Sequence, residues 1–85
     1  MKQYDYKTKG VCSRSIHLEV NDDNIITSVQ FTGGCMGNTQ GVARLAEGRT
    51  PEEVIALVKG IRCGSKGTSC PDQLARALEE MKRTL

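Results

Sequence analysis

Apolar and polar residues alternate with period two through the first third of the chain and then change to the helical period. That is the pattern of an α+β domain whose strands precede its helices. Tyr4, Tyr6 and Thr8 alternate with polar neighbours and predict a first strand near residues 3–9. Ile16, Leu18 and Val20 share one face while His17 and Glu19 share the other, which predicts a half-buried second strand near 14–20. After the turn Asn21-Asp22-Asp23-Asn24, the residues Ile25, Thr27, Val29 and Phe31 repeat the alternation. A third strand near 25–32 should therefore pair with the second as an antiparallel hairpin, and Gly33-Gly34 should end it.

Beyond Gly34 the pattern is helical. Val42, Leu45 and Ala46 form a short apolar stripe, with Asn38 or Thr39 as cap and Gly48 as terminator, predicting a helix near 38–47. Thr50-Pro51-Glu52-Glu53 has the form of a capping box with Pro at the first helical position. Val54, Leu57, Val58 and Ile61 follow at helical spacing, so a second helix is expected near 51–61. A third, near 71–84, opens at Pro71 and carries Leu74, Ala77, Leu78, Met81 and Leu85 on one face, with a Glu79–Arg83 pair outside. No internal repeat, low-complexity segment or linker divides the chain, so residues 1–85 are expected to form one domain: an antiparallel three-stranded sheet followed by three helices.

Size and composition turn attention to the cysteines. With 85 residues, 38% apolar content, no Trp and a single Phe, the core must be small and aliphatic. A chain this short is near the limit at which a metal, a disulfide or a partner surface becomes useful. No apolar run reaches the roughly 18 residues of a membrane span, and no apolar segment follows the basic residue near the start, so a cytoplasmic protein with no membrane partner is expected. The net charge of +2 is too small to imply nucleic acid. In a reducing compartment, four cysteines argue for metal or redox chemistry before structural disulfides.

Cys12, Cys35, Cys63 and Cys70 are separated by 22, 27 and 6 intervening residues, and none forms a Cys-x-x-Cys pair. Their settings say more than their spacing. Cys12 lies in a Gly10-Val11-Cys12-Ser13 turn before a strand, Cys35 follows Gly33-Gly34 before a helix, and Cys70 precedes Pro71 at a helix start. All four sit at element ends, which can converge on one edge of a two-layer domain and share a metal. A helix N-terminus favours thiolate over thiol, which applies to Cys70 and less directly to Cys35. Two other readings stay open: small cysteines filling gaps in the core, and a Cys63–Cys70 disulfide.

Other candidates carry less. His17 beside Glu19 on a polar strand face reads as a solvated histidine, and Met36 as packing before it reads as a soft ligand. Gly64-Ser65-Lys66-Gly67-Thr68-Ser69 looks like a phosphate loop, but its residue order is wrong for one. No Ser/His/Asp or Cys/His arrangement for nucleophilic catalysis is visible, so no catalytic residue is assigned.

The segment Gly67-Thr68-Ser69-Cys70-Pro71-Asp72 contains the pentad for which the TSCPD domain is named. Gly10-Val11-Cys12-Ser13, Thr32-Gly33-Gly34-Cys35-Met36-Gly37-Asn38, the Gly48 turn with Thr50-Pro51-Glu52-Glu53, and Ile61-Arg62-Cys63-Gly64 resemble that family's other blocks in order, across residues 4–85. The family occurs as small stand-alone proteins and as the C-terminal domain of adenosylcobalamin-dependent ribonucleotide reductases. The resemblance implies a metal, zinc in the first place, bound by Cys12, Cys35, Cys63 and Cys70. It also implies a role accessory to ribonucleotide reduction and DNA-precursor synthesis, with a ribonucleotide reductase or another protein as partner. The reductase's catalytic barrel has no counterpart in these 85 residues.

A fainter resemblance is to NifU/IscU-type iron–sulfur scaffolds, carried by the placement of Cys12, Cys35 and Cys70 and by Phe31-Thr32-Gly33-Gly34-Cys35. It implies a similar sheet-plus-helices fold and, as alternative cofactors, iron or an iron–sulfur cluster. Ser13 and Arg14 stand after Cys12 where those scaffolds place an Asp nearby, and Cys63 is an additional thiol. Three functions follow for testing: a closed four-thiolate metal module, a cluster scaffold or carrier, and a thiol-redox shuttle using Cys63 and Cys70.

Overall fold

Strands β1 (Lys2–Lys7), β2 (Ser13–Val20) and β3 (Ile26–Gly33) are followed by helices α1 (Met36–Ala46), α2 (Pro51–Val58) and α3 (Cys70–Thr84) in a computed structural model. The structure describes residues 1–34, 36–64 and 67–84. The strands form one antiparallel sheet in the order β1-β2-β3, so the α+β architecture is the one the periodicity predicts. Cys35, Ser65, Lys66 and Leu85 lie outside the described residues, as does the side chain of Met36. The expectations that fall on them, including the lower end of the apolar stripe at Leu85 and part of the phosphate-loop-like segment, lie outside the described residues.

One face of the sheet carries the core. Ile16 and Leu18 are fully buried and Val20 nearly so, meeting Leu74, Ala77, Leu78 and Met81 of α3 across the layer interface. The alternation that predicted β2 is thus a burial pattern in fact. Tyr4 and Tyr6 flank this core from β1, and the Tyr4 hydroxyl donates to Glu80 at 2.7 Å, tying β1 to the middle of α3. The opposite face is polar, with Asp5, His17 and Gln30 paired across the strands.

Several boundaries differ from expectation, each for a local reason. β1 ends at Lys7, because Thr8 leaves the ladder to donate its hydroxyl to Ser13 O at 2.5 Å and its amide to Arg14 O at 3.1 Å. In β3 the register shifts between Glu19 and Val20 of its partner strand, a bulge that turns Ile26 inward in place of Ile25 and Thr27. Ile26 is fully buried, whereas Thr27 is exposed and bonds Glu19 O. The hairpin turn itself is as expected: Asn21 Oδ1 accepts the amides of Asp23 and Ile25.

The first two helices are rotated relative to the predicted stripes. α1 begins at Met36, two residues ahead of Asn38, and buries Thr39, Ala43 and Ala46, while Leu45 is 72% exposed. α2 has the predicted capping box, with Thr50 Oγ1 accepting the Glu53 amide and Glu53 accepting the Thr50 amide. Pro51 and Val54 are its buried residues, Leu57 is 62% exposed, and the helix stops at Val58 before Ile61 is reached. Gly60, at φ +89°, turns the chain away. Glu79 pairs with Lys59 at 2.7 Å in place of Arg83, and Lys82 pairs with Glu52 at 2.8 Å, so the charges expected on α3 alone bridge it to α2.

Candidate functional site: the start of helix α3 and its thiol-lined cavity

Helix α3 begins on a cap that explains most of the pentad. Ser69 stands just before the first helical residue, and its Oγ accepts the Asp72 amide at 3.2 Å while its carbonyl takes the Gln73 amide at 2.8 Å. Cys70 and Pro71 are then the first two helical residues, where proline's missing N–H costs nothing. The helix starts one residue before the expected Pro71, at Cys70, because the cap is Ser69.

The remaining polar groups of this turn face other segments. Asp72 is fully buried, and its carboxylate accepts from the Gly60 amide at 2.7 Å, from Arg76 Nε at 2.8 Å and, in a short bond, from the Thr68 hydroxyl. Burial alone would raise the pKa of Asp72, but those three donors outweigh it and hold the carboxyl below its ordinary value. Ser69 Oγ also donates to Ile61 O at 2.6 Å, and the Cys63 amide donates to Thr68 O at 3.2 Å. The Gly60–Cys63 segment is thus bonded to the start of α3 at three points.

Gln73 does the same for the loop before β2. Its Oε1 accepts the Lys9 amide and its Nε2 donates to Thr68 Oγ1, both at 3.0 Å. Ser13, buried at the start of β2, places its Oγ 3.4 Å from Cys70 Sγ. Gly34 lies against the same residue: a Cβ at Gly34 would come within 3.1 Å of Ser13 N, and φ there is +84°. A side chain at position 34 would therefore clash and be strained, so glycine is required for the chain to pass Ser13 on its way to α1.

These bonds bring Cys12, Cys63 and Cys70 to one cavity of about 460 Å³, lined also by Val11, Asn38, Ile61, Arg62, Ser69 and Pro71. Cys70 is buried at its wall, whereas Cys12 and Cys63 are exposed. Three of the four predicted metal residues are therefore neighbours of one space, and the fourth, Cys35, lies outside the described residues. Among the described residues, no three His, Cys, Asp or Glu side chains stand close enough to hold a metal ion as placed. The donor chemistry of the cavity nevertheless suits a soft metal: thiols and no carboxylate or imidazole among the described lining residues.

His17 belongs elsewhere. It lies on the solvent face of the sheet between Asp5, 2.7 Å from Nδ1, and Glu19, 2.9 Å from Nε2, consistent with a solvated histidine. The Glu19 hydrogen bond, followed by that of Asp5, raises its pKa above the ordinary 6.5. What sequence reasoning passed over is the non-cysteine part of the pentad and the Gln73 that follows it. Thr68, Asp72 and Gln73 organise the cavity, and the Ser69-x-x-Asp72 spacing, a form of helix-start signature, was the available signal.

The profile of the TSCPD domain matches residues 2–82 of this chain. The chain belongs to the TSCPD domain family. The matched span contains all the blocks noted in the sequence, and membership supports a relation to the C-terminal domains of ribonucleotide reductases. No curated protein and no solved structure matches the chain. Within the TSCPD chain described here, no helix among the described residues is long and apolar enough to cross a membrane.

Proposed function

We propose that this TSCPD domain is a four-cysteine metal module, with Cys12, Cys35, Cys63 and Cys70 as thiolate ligands of zinc, acting as an accessory to ribonucleotide reduction with a reductase as its protein partner. The observation that supports it is the meeting of Cys12, Cys63 and Cys70 at one cavity from three separate segments of the chain. Packing alone gives no reason for two of those thiols to be exposed, since a cysteine retained as a small core residue would be buried. Zinc suits a closed thiolate set because it takes four such ligands without redox chemistry.

The same exposure favours a second reading, an iron–sulfur scaffold or carrier, because a cluster that is passed on needs an accessible position. Metal analysis and a visible spectrum on protein purified without oxygen separate the readings. One zinc per chain without colour supports the module. Iron with acid-labile sulfide supports the scaffold, iron without sulfide supports a closed four-thiolate module holding a single iron, and a metal-free chain with a reversible Cys63–Cys70 disulfide supports a thiol shuttle. For the zinc module, chelated wild type and Cys70→Ser are expected to melt at similarly lowered temperatures, since metal binding in so small a domain is partly folding free energy. A wild-type melt unchanged after complete metal removal leaves a structural metal without support.

A further inference from the structure

Cys12 and Cys63 come from segments outside the helices and strands, so something must fix where those segments lie. Cys63 follows a stretch that leaves α2 at Gly60 and makes no further helix. The bonds described above, from the Gly60 amide to Asp72, from Ser69 to Ile61 O and from the Cys63 amide to Thr68 O, run from this stretch to the first turn of α3 and the two residues before it. Asp72 is the centre of the set: fully buried, acceptor of the Gly60 amide and of the Thr68 hydroxyl, and only two residues from Cys70. Thr68 in turn presents its carbonyl to Cys63 and its hydroxyl to both Asp72 and Gln73.

We infer that Thr68 and Asp72 are positioning residues that clamp the Gly60–Cys63 segment onto the start of α3 and so set Cys63 against Cys70 for joint use of the two thiols. The inference rests on the metal-module reading for what the thiols bind, though the clamp itself is a statement about the protein alone. Its chemistry is that of an outer layer around a ligand set. Groups that do not touch the metal hold the ligands in place, and their loss commonly lowers metal affinity 10- to 100-fold. Asp72→Asn keeps the size of the side chain but replaces one carboxylate oxygen by an NH2 that cannot accept, so either the Gly60 amide or the Thr68 hydroxyl and Arg76 Nε lose their acceptor. Thr68→Val removes the hydroxyl at constant shape, and Thr68→Ser restores it.

The test is a cobalt(II) titration of reduced protein, competed against a chelator and followed by the thiolate-to-cobalt absorption, alongside amide hydrogen exchange of the metal-free proteins. Asp72→Asn and Thr68→Val should bind cobalt about 10- to 100-fold more weakly than wild type, with a changed thiolate band, and Thr68→Ser should return both to wild type. A purely structural role would lower the melting temperature while leaving the affinity and spectrum of the folded variants unchanged, and that result overturns the inference. Should Asp72→Asn fail to fold, the Thr68 pair decides the matter in the same way. If wild type itself binds no cobalt, the metal reading fails while the clamp is still judged by exchange. Faster exchange by tenfold or more at Gly60 and Cys63 in Thr68→Val, reversed in Thr68→Ser, upholds the clamp, and unchanged protection there overturns it.

Discussion

His17 sits between two carboxylates on the outer face of the sheet, and the consequence is a pH-dependent contribution to stability. Its pKa is raised in the folded protein, so the protonated ring is stabilised by folding. That contribution is fully present below the ordinary value of 6.5 and is lost as pH rises through the raised folded value. Because the group is partly exposed, the effect is at most ~1 kcal/mol. His17→Gln should therefore melt below wild type at about pH 5.5 and close to it at about pH 9. Thermal melts at the two pH values check this, and an equal gap at both would show that packing and not charge is responsible. Exposure at single residues carries a second lesson. The spacing predicts Leu45 and Leu57 on core faces, yet both are mostly exposed.

At the level of the element, α2 is where spacing and packing part company. The capping box fixes its start and the spacing predicts one apolar stripe, Val54, Leu57, Val58, Ile61, whereas packing selects a second, Pro51, Val54, Ile55, Val58. The structure uses the second, because α2 packs against α3 and its last turn is cut short by the bonds that Asp72 and Ser69 make to Gly60 and Ile61. Val54→Ala should cost about 2 kcal/mol, the removed methyl groups plus the space they leave. Leu57→Ser should stay within about 0.5 kcal/mol of wild type, as surface changes usually do. Urea denaturation of the two variants measures both, and a larger loss for Leu57→Ser would restore the first stripe.

For the whole molecule, stability rests on one aliphatic layer between the sheet and α3. Leu78 is fully buried in it, among Ile16, Leu18 and Leu74. Leu78→Ala should cost roughly 2–5 kcal/mol, a large share of the roughly 5–15 kcal/mol of an ordinary domain. The melting temperature should then fall by about 10 °C or more, read by circular dichroism. A loss under about 1 kcal/mol would mean that stability is centred elsewhere, with a bound metal the first place to look.

The sequence by itself determined the α+β order of elements, the inward face of β2 and α3, the hairpin turn, the capping box of α2 and, through the Thr68–Asp72 pentad and its companion blocks, the family. Those features are local: they depend on alternation, on the φ preferences of Asn, Gly and Pro, or on side chains bonding backbone a few residues away. Tertiary structure decided the rest. Which side of α1 and α2 turns inward depends on what each packs against, and the bulge at Thr27 is a property of two strands together. That Cys12, Cys63 and Cys70 meet at one cavity depends on Asp72 and Gln73 reaching Gly60 and Lys9, 12 and 64 residues away in the chain. Periodicity registers the neighbours of a residue along its own element, and these contacts join elements whose sequences carry no mark of one another.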